Sequence, residues 1–317
     1  MILTITPNTA LDKVIFVEDF RFGHTVRAQG AAEGMGGKGA VVSWVLGQIG
    51  TPSLATGFAA GETGRKMEAV LRAAGVQTDF IWVAGETRTN YVLARTSDGV
   101  QGTVTLDGLQ VTLADADRLT AHVLALLPAA DWVFCGGSLP GGVDGTTAMP
   151  VDWYVPIIRE AKARGITTML DTSDRFLAPN IAAMPDIIKP NASEAVTLLG
   201  HPIATPQEAA QAVQALQRRG IHIPIITLGE QGAVAGTEEG IFYVPPIRVR
   251  VLNTAGAGDG FSAGLIQARL RGQDWPNALR WAAAVATAVL LTPGTGACCL
   301  EDAQRLYPQV RIERMEV

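Results

Sequence analysis

The chain has 317 residues, of which 48% are hydrophobic and 17% charged, with 35 glycines and a formal net charge of −5. Few charges, many glycines and a large apolar fraction exclude a disordered chain, a collagen-like repeat and a disulfide scaffold. The acidic balance leaves no electrostatic footprint for nucleic acid, and the length allows one large domain or two modest ones.

The chain opens on a strand candidate, Ile2–Ile5. The β-formers around it run into Asp12 and Lys13, so the N-terminus does not read as a signal peptide. Helical patterns follow over Gly39–Ile49 and Gly64–Ala74, then Ala114–Leu127. Strand candidates Trp132–Cys135, Thr167–Leu170, Ile187–Lys189 and Ile223–Thr227 then alternate with helix candidates Trp153–Arg164, Ala192–Leu199 and Pro206–Arg219. The last long helices are Ala257–Arg271 and Trp275–Leu291. These strands lack clean alternation, which suits burial on both faces of a parallel sheet covered by helices. Two stretches differ, Phe16–Arg27 and Phe80–Leu106, which read as β-rich. They predict a small β lid outside the main sheet, from about residues 13–30 and 80–107. Gly232–Val251 reads as hairpins after a core strand.

The longest run without charge or turn residues, Trp281–Leu291, is short of the roughly 18 residues that span a bilayer. Membrane partners are therefore not expected. Three cysteines without a C-x-x-C pair fit a reduced cytoplasm, and four scattered histidines give no zinc spacing.

Four clusters, three of them glycine-rich, carry candidate chemistry. In Asn253-Thr-Ala-Gly-Ala-Gly-Asp259, small residues leave backbone N–H groups bare at a helix start. Such a turn binds an anion through free donors and the helix dipole. A carboxylate there repels phosphate, unless Asp259 takes a hydroxyl proton while the backbone cradles a phosphoryl group. The plainer alternative is a glycine turn with Asp259 serving the helix start. Gly34-Met-Gly36-Gly37-Lys38-Gly39 matches G-x-G-x-x-G formally but follows no convincing core strand, and it lacks the Ser or Thr of a Walker A loop. It is either a close backbone approach to a polar ligand or a flexible turn with a solvated lysine. Lys189-Pro-Asn191-Ala-Ser-Glu194 follows a strand and opens a helix. Asn191 and Glu194 lie near one helical face and suit a hydrated Mg²⁺, though Asn or Ser as N-cap with Glu in the first turn is ordinary helix-start chemistry. Thr227-Leu-Gly229-Glu-Gln-Gly232 ends another strand, beside a nucleotide or as a hairpin turn.

Taken in order, these pieces resemble the ribokinase-like PfkB carbohydrate kinases, and within them the phosphofructokinase and tagatose-6-phosphate kinase branch. The resemblance covers nearly the whole chain. It runs through Thr6–Asp12, Gly36–Gly39, Gly57-Phe58 with Gly61 and Gly64, and Glu86–Asn90. It continues through Gly137–Pro140, Asp171–Ser173, Lys189–Glu194, Thr227–Gly232 and Asn253–Asp259. Asn253 stands where many members have Asp and the phosphosugar branch commonly has Asn.

The resemblance implies a three-layer α/β/α sandwich with a mostly parallel central sheet and a small β-sheet lid, in one domain over residues 1–317. It implies ATP-dependent phosphorylation of a phosphorylated ketohexose. Asp259 is then the base, and Gly256, Ala257 and Gly258, with Ala255, form the anion hole. Asn191 and Glu194 hold Mg²⁺ through water, and Thr227, Gly229 and Gly232 line the ATP site. Asp12, Gly37, Lys38 and Asn90 hold the sugar, and Arg88 its phosphate. A homodimer through the lid is also implied.

Departures fall at the acceptor end. Val41 replaces the Asn of the usual Gly-Gly-Lys-Gly-x-Asn, and Trp44 follows where a small or basic residue is common. Gly99–Asp107 lacks the branch's Thr/Asn/Gly-Pro pattern, Asp174 stands where Gly often follows Asp-Thr-Ser, and Gly260 replaces a frequent Ser. Alternatives are a kinase of an unphosphorylated sugar or nucleoside, a non-catalytic nucleotide or sugar sensor, and a nicotinamide dehydrogenase using Gly34–Gly39.

Overall fold

The computed structural model describes residues 1–142 and 149–316. Among the described residues ten strands form the main sheet, in the order β16-β15-β14-β13-β12-β11-β10-β1-β4-β5. They are β1 (Ile2–Thr6), β4 (Ser53–Ala59), β5 (Gln77–Trp82), β10 (Trp132–Gly136), β11 (Thr167–Asp171), β12 (Ile187–Ile188), β13 (Ile223–Thr227), β14 (Ala233–Thr237), β15 (Gly240–Val244) and β16 (Glu313–Met315). Pairing is parallel from β5 to β13 and antiparallel from β13 to β16.

Helices cover both faces. One apolar cluster joins Ile2, Phe134, Met169 and Ile225 to α1 (Lys38–Gln48), α2 (Gly61–Ala73), α8 (Ala257–Leu270), α9 (Trp275–Leu290) and α10 (Leu300–Leu306). Another joins Leu3, Cys135, Leu170 and Ile226 to α3 (Leu113–Leu126), α4 (Tyr154–Ala163), α5 (Asp174–Ile181), α6 (Ala192–Leu199) and α7 (Pro206–Arg218). Successive strand residues thus feed opposite layers, which is the expected α/β/α sandwich. Among the described residues no helix is long and apolar enough to cross a membrane.

A second sheet stands apart, in the order β3-β2-β7-β8. Its strands are β2 (Ala10–Val17), β3 (Gly30–Gly36), β7 (Arg88–Arg95) and β8 (Gln101–Val104). A third, two-stranded sheet pairs β6 (Ala84–Gly85) with β9 (Leu109–Gln110).

The expected lid bounds need correction. Only Phe16 and Val17 of Phe16–Arg27 are in a strand. The strand that follows begins at Gly30, where small residues hide its character. Phe80–Trp82 belongs to the main sheet as the end of edge strand β5. The Gly232–Val251 hairpin stops at Val244, before Pro245 and Pro246, which cannot donate to a ladder. Strand β4 and helices α5 and α10 are elements that the periodicity did not reveal. Pro179 lies inside α5 and hides its pattern. Asp174 opens α5, and its side chain lies outside the described atoms.

Candidate active site

The N-terminus of α8 is built around a glycine that no other residue replaces without strain. Gly256 caps it at φ 84°, in the left-handed region, and a Cβ there would lie 2.5 Å from the Gly296 nitrogen. Asn253, fully buried, shapes the preceding turn. Its Oδ1 accepts from the Ala255 N–H at 2.9 Å, and its amide donates to the Pro293 carbonyl at 3.2 Å. The first-turn amides of α8 lack intrahelical acceptors and sit at the positive end of the helix. Asp259 lies in that first turn. Burial pushes its carboxyl up to about 7, against Lys38 and Lys189, which lower it, and with Asp171 and Asp12, which raise it.

Two lysines converge on one buried acid below this turn. Lys38 Nζ lies 2.6 Å from Asp171 Oδ1, and Lys189 Nζ lies 2.7 Å from Asp171 Oδ2. A Cβ on Gly258 would stand 3.4 Å from Lys189 Nζ, so this cation flanks the glycine turn. Burial opposes ionisation of Asp171, but Lys189 and Lys38 hold its carboxyl below the ordinary value. Burial likewise works against the Lys38 charge, and Asp171, Asp259 and Glu194 override it and raise its pKa. Lys38 therefore sits with the acids around Asp259, not only beside the expected sugar residues.

The Asn191–Glu194 step forms a complete capping box for α6. Asn191 Oδ1 accepts from the Glu194 N–H at 2.9 Å, and Glu194 Oε2 accepts from the Asn191 N–H at 2.8 Å. One carboxylate oxygen of Glu194 remains outside that box. Burial raises the Glu194 pKa, opposed by Lys38. Among the described residues no three His, Cys, Asp or Glu side chains gather as a metal cage. A hydrated Mg²⁺, touching one carboxylate and keeping its waters, fits this donor set, and a fully protein-ligated ion does not.

Asn191 also bridges to Thr227, whose N–H donates to the Pro190 carbonyl at 3.1 Å. Thr227 thus ends β13 beside the capping box. Gly229 has open space where a Cβ would project, while Gly232, at φ 86°, is packed against the Val244 carbonyl. The first leaves room for a ligand; the second is required by the hairpin itself.

The second sheet supplies the opposite wall. Asp12 on β2 is in register with Asn90 on β7, and Asn90 Nδ2 donates to Asp12 Oδ1 at 2.8 Å. Gly36 lets Asp12 sit there, because a Cβ would collide with that oxygen. Burial raises the Asp12 pKa, eased by Asn90, by Thr295 and by Arg88. Buried Asn90 Oδ1 and Arg88 Nε have no protein partner, so both are available to a ligand. Burial lowers the Arg88 pKa, offset by Asp12 and Asp107. Gly37, at φ 80°, caps α1, and a Cβ there would lie 2.8 Å from Thr6 Cγ2.

Asp259 is thus within electrostatic reach of Lys38 and Asp12, and Lys38 within reach of Glu194. Asp171, Lys189 and Thr295 were not singled out by sequence reasoning. The first two stood in quoted motifs, Asp171-Thr-Ser and Lys189-Pro-Asn, but no spacing rule joins residues on separate strands. Val41 is explained by packing: a Cβ on Gly296 would lie 2.5 Å from Val41 Cγ1, so the valine abuts the Gly294–Ala297 turn.

Comparison with known proteins identifies the family. The family described as pfkB family carbohydrate kinase matches residues 8–303. The chain is 33% identical over 303 residues to a 1-phosphofructokinase of Haloferax volcanii, covering 95% of each. It is 28% identical to a tagatose-6-phosphate kinase of Staphylococcus epidermidis, covering 98% of this chain and 99% of that one. Its fold matches phosphofructokinase-2 of Escherichia coli with a TM-score of 0.87 at 23% identity, over 97% of this chain and 98% of that one. The chain belongs to the pfkB family of carbohydrate kinases and is a phosphotransferase with an alcohol acceptor.

Proposed function

We propose that the chain transfers the γ-phosphoryl group of ATP to a hydroxyl of a phosphorylated ketohexose, in the manner of a 1-phosphofructokinase. One observation carries the reading. A carboxyl with its pKa near 7 lies in the first turn of α8, beside a glycine turn and two lysines. Asp259 takes the proton of the acceptor hydroxyl as its oxygen attacks the γ-phosphorus. The bond to the β–γ bridging oxygen breaks, and ADP leaves. The charge spread over the transferring group meets the α8 amides and Lys189, while Lys38 and Asp171 hold the cluster in place. Mg²⁺, held through water near Glu194, supplies charge neutralisation of the ATP phosphates when bound. Thr227 and Gly229 border the nucleotide.

On the facing wall, Asp12 and Asn90 hold the sugar hydroxyls, with Gly37 giving close backbone approach. Arg88 takes the acceptor phosphate. The second sheet then acts as the lid over the acceptor. Its outer face exposes Lys13, Tyr91 and Val104, and supports pairing of two lids in a homodimer.

Turnover with MgATP is measured on fructose 1-phosphate, tagatose 6-phosphate, fructose 6-phosphate and fructose. A phosphorylated ketohexose is the expected acceptor. Arg88→Ala is expected to raise its KM by about 10- to 100-fold, the worth of a charge-assisted hydrogen bond, with little change for ATP. Equal use of fructose and fructose 1-phosphate would show that the acceptor needs no phosphate.

A further inference from the structure

The second sheet is tied to the phosphoryl-transfer turn at both of its edges. At the β8 edge, Gln101 Oε1 accepts from the Thr254 hydroxyl at 2.8 Å and from the Thr254 N–H at 3.2 Å. At the β3 edge, the Met35 N–H donates to the Thr295 carbonyl at 3.1 Å. The Pro293–Gly296 turn passes that link on: Pro293 accepts from Asn253, and the Gly296 N–H donates to Ala255 at 3.3 Å. Between the edges, Ala255 packs on Val14, Val92 and Ala94 of the middle strands. The strands that carry Asp12 and Asn90 therefore lie in a frame whose two ends close on residues 253–256.

The two ties differ in kind. The β3 tie is backbone to backbone, with glycines at Gly34 and Gly294 allowing contact that no side chain permits. The β8 tie is one half-buried side chain reaching the exposed Thr254, in the Gly99–Asp107 segment where the sequence departs from the phosphosugar pattern. It needs only an acceptor oxygen, because no bond of the Gln101 amide nitrogen contributes to it.

We propose that Gln101 is a positioning residue: through Thr254 it latches the free edge of the lid to the anion-binding turn, so that acceptor site and anion hole close as one unit. The Thr254 N–H and hydroxyl are held by one oxygen. That fixes the backbone immediately ahead of Ala255 and Gly256, whose geometry sets where the α8 amides aim. Releasing the latch leaves the fold, the β3 tie and Asp259 in place, but lets the lid edge and the turn fluctuate separately. A misplacement of about 1 Å at such a turn costs on the order of 10²-fold in rate.

The proposal rests on phosphoryl transfer at this site, and its test separates the two. Hydrogen–deuterium exchange of the full chain is followed in segments 101–104 and 253–258 for the parent and for Gln101→Ala, without acceptor. Exchange is expected to rise about threefold or more in both segments together, and not in 30–36. Kinetics on the acceptor used by the parent then compare Gln101→Ala, Thr254→Val and the double variant. Each single variant is expected to lose about tenfold in kcat with Tm unchanged. The double variant should lose no more than the larger single loss, and Thr254→Ser, which keeps both bonds, should retain parent kcat. Unchanged exchange at 253–258 in Gln101→Ala, or losses that multiply in the double variant, would overturn the latch. Failure of the parent on every sugar phosphate would overturn the acceptor assignment alone, since the exchange result still decides the latch.

Discussion

Asp259→Asn sets catalysis against stability. Burial lifts this carboxyl from its ordinary 3.8 to about 7 in the folded chain. The folded state therefore holds the proton more tightly than the unfolded state. The resulting stabilisation is complete below pH 3.8 and is lost as pH rises through about 7. Above that, the fold carries a poorly solvated carboxylate. At about 1.4 kcal/mol per pKa unit, the whole shift has an upper bound of about 4 kcal/mol. Asp259 is only half-buried, and the water that reaches it reduces the penalty to about 1–2 kcal/mol. Asparagine has the same shape and no charge. At pH 8 the ligand-free variant is expected to exceed the parent by about 1–2 kcal/mol, or roughly 2–4 °C in Tm. The gain should shrink steadily toward pH 4, while kcat falls by about 10²–10⁴ at neutral pH. Urea unfolding followed by tryptophan fluorescence at pH 8, 6 and 4.5, beside a coupled kinase assay, reads both effects. A variant less stable than the parent at pH 8, or a difference independent of pH, would refute the burial argument. Full turnover would refute the base.

Lys189→Met removes the cation beside Gly258 and leaves Asp171 with Lys38 alone; kcat should fall and the KM for ATP rise, together about 10–100-fold in kcat/KM, with the acceptor KM little changed in steady-state kinetics. Gly256→Ala places a Cβ against the Gly296 nitrogen in a left-handed turn, and should cost about 1–3 kcal/mol by thermal unfolding. Val41→Asn restores the residue common in the family pattern but sets its amide against the Gly294–Ala297 turn. It should cost about 1–3 kcal/mol, and an equally stable variant would show that the pocket there already accepts a polar group.

Much of the sandwich was readable in the chain. Strands such as Trp132–Gly136 and Ile223–Thr227 are buried on both faces, and continuous apolar runs announce that environment. Strand β4 (Ser53–Ala59) is just as buried, yet its Ser, Thr, Gly and Ala carry no such signal. The lid was harder. Strand β3, Gly30-Ala-Ala-Glu-Gly-Met-Gly36, is a strand because β2 pairs with it, not through any propensity of its own. At the site, Asp259 and its glycines form one local motif and could be read directly. Asp171 and Lys189 could not, because their pairing joins the ends of β11 and β12 across the sheet. Asn191 and Glu194 show the converse. The helix-cap reading and the metal reading both came from the same spacing, and the cap uses most of their polar atoms without excluding a hydrated ion.

Strands β2 and β7 run side by side in parallel, but β3, α1, β4, α2, β5 and β6 lie between them in the chain. Such a pairing closes a long loop, and its entropic cost falls before its contacts are gained. The second sheet is therefore expected to assemble after the β1–β4–β5 part of the main sheet is in place. What forms last, on few buried contacts, opens first. Its own apolar cluster is Val14, Val92 and Ala94, small beside the two that flank the main sheet. Mild heat or denaturant should thus strip away the second sheet while the main sandwich remains folded, and inactivation should precede global unfolding.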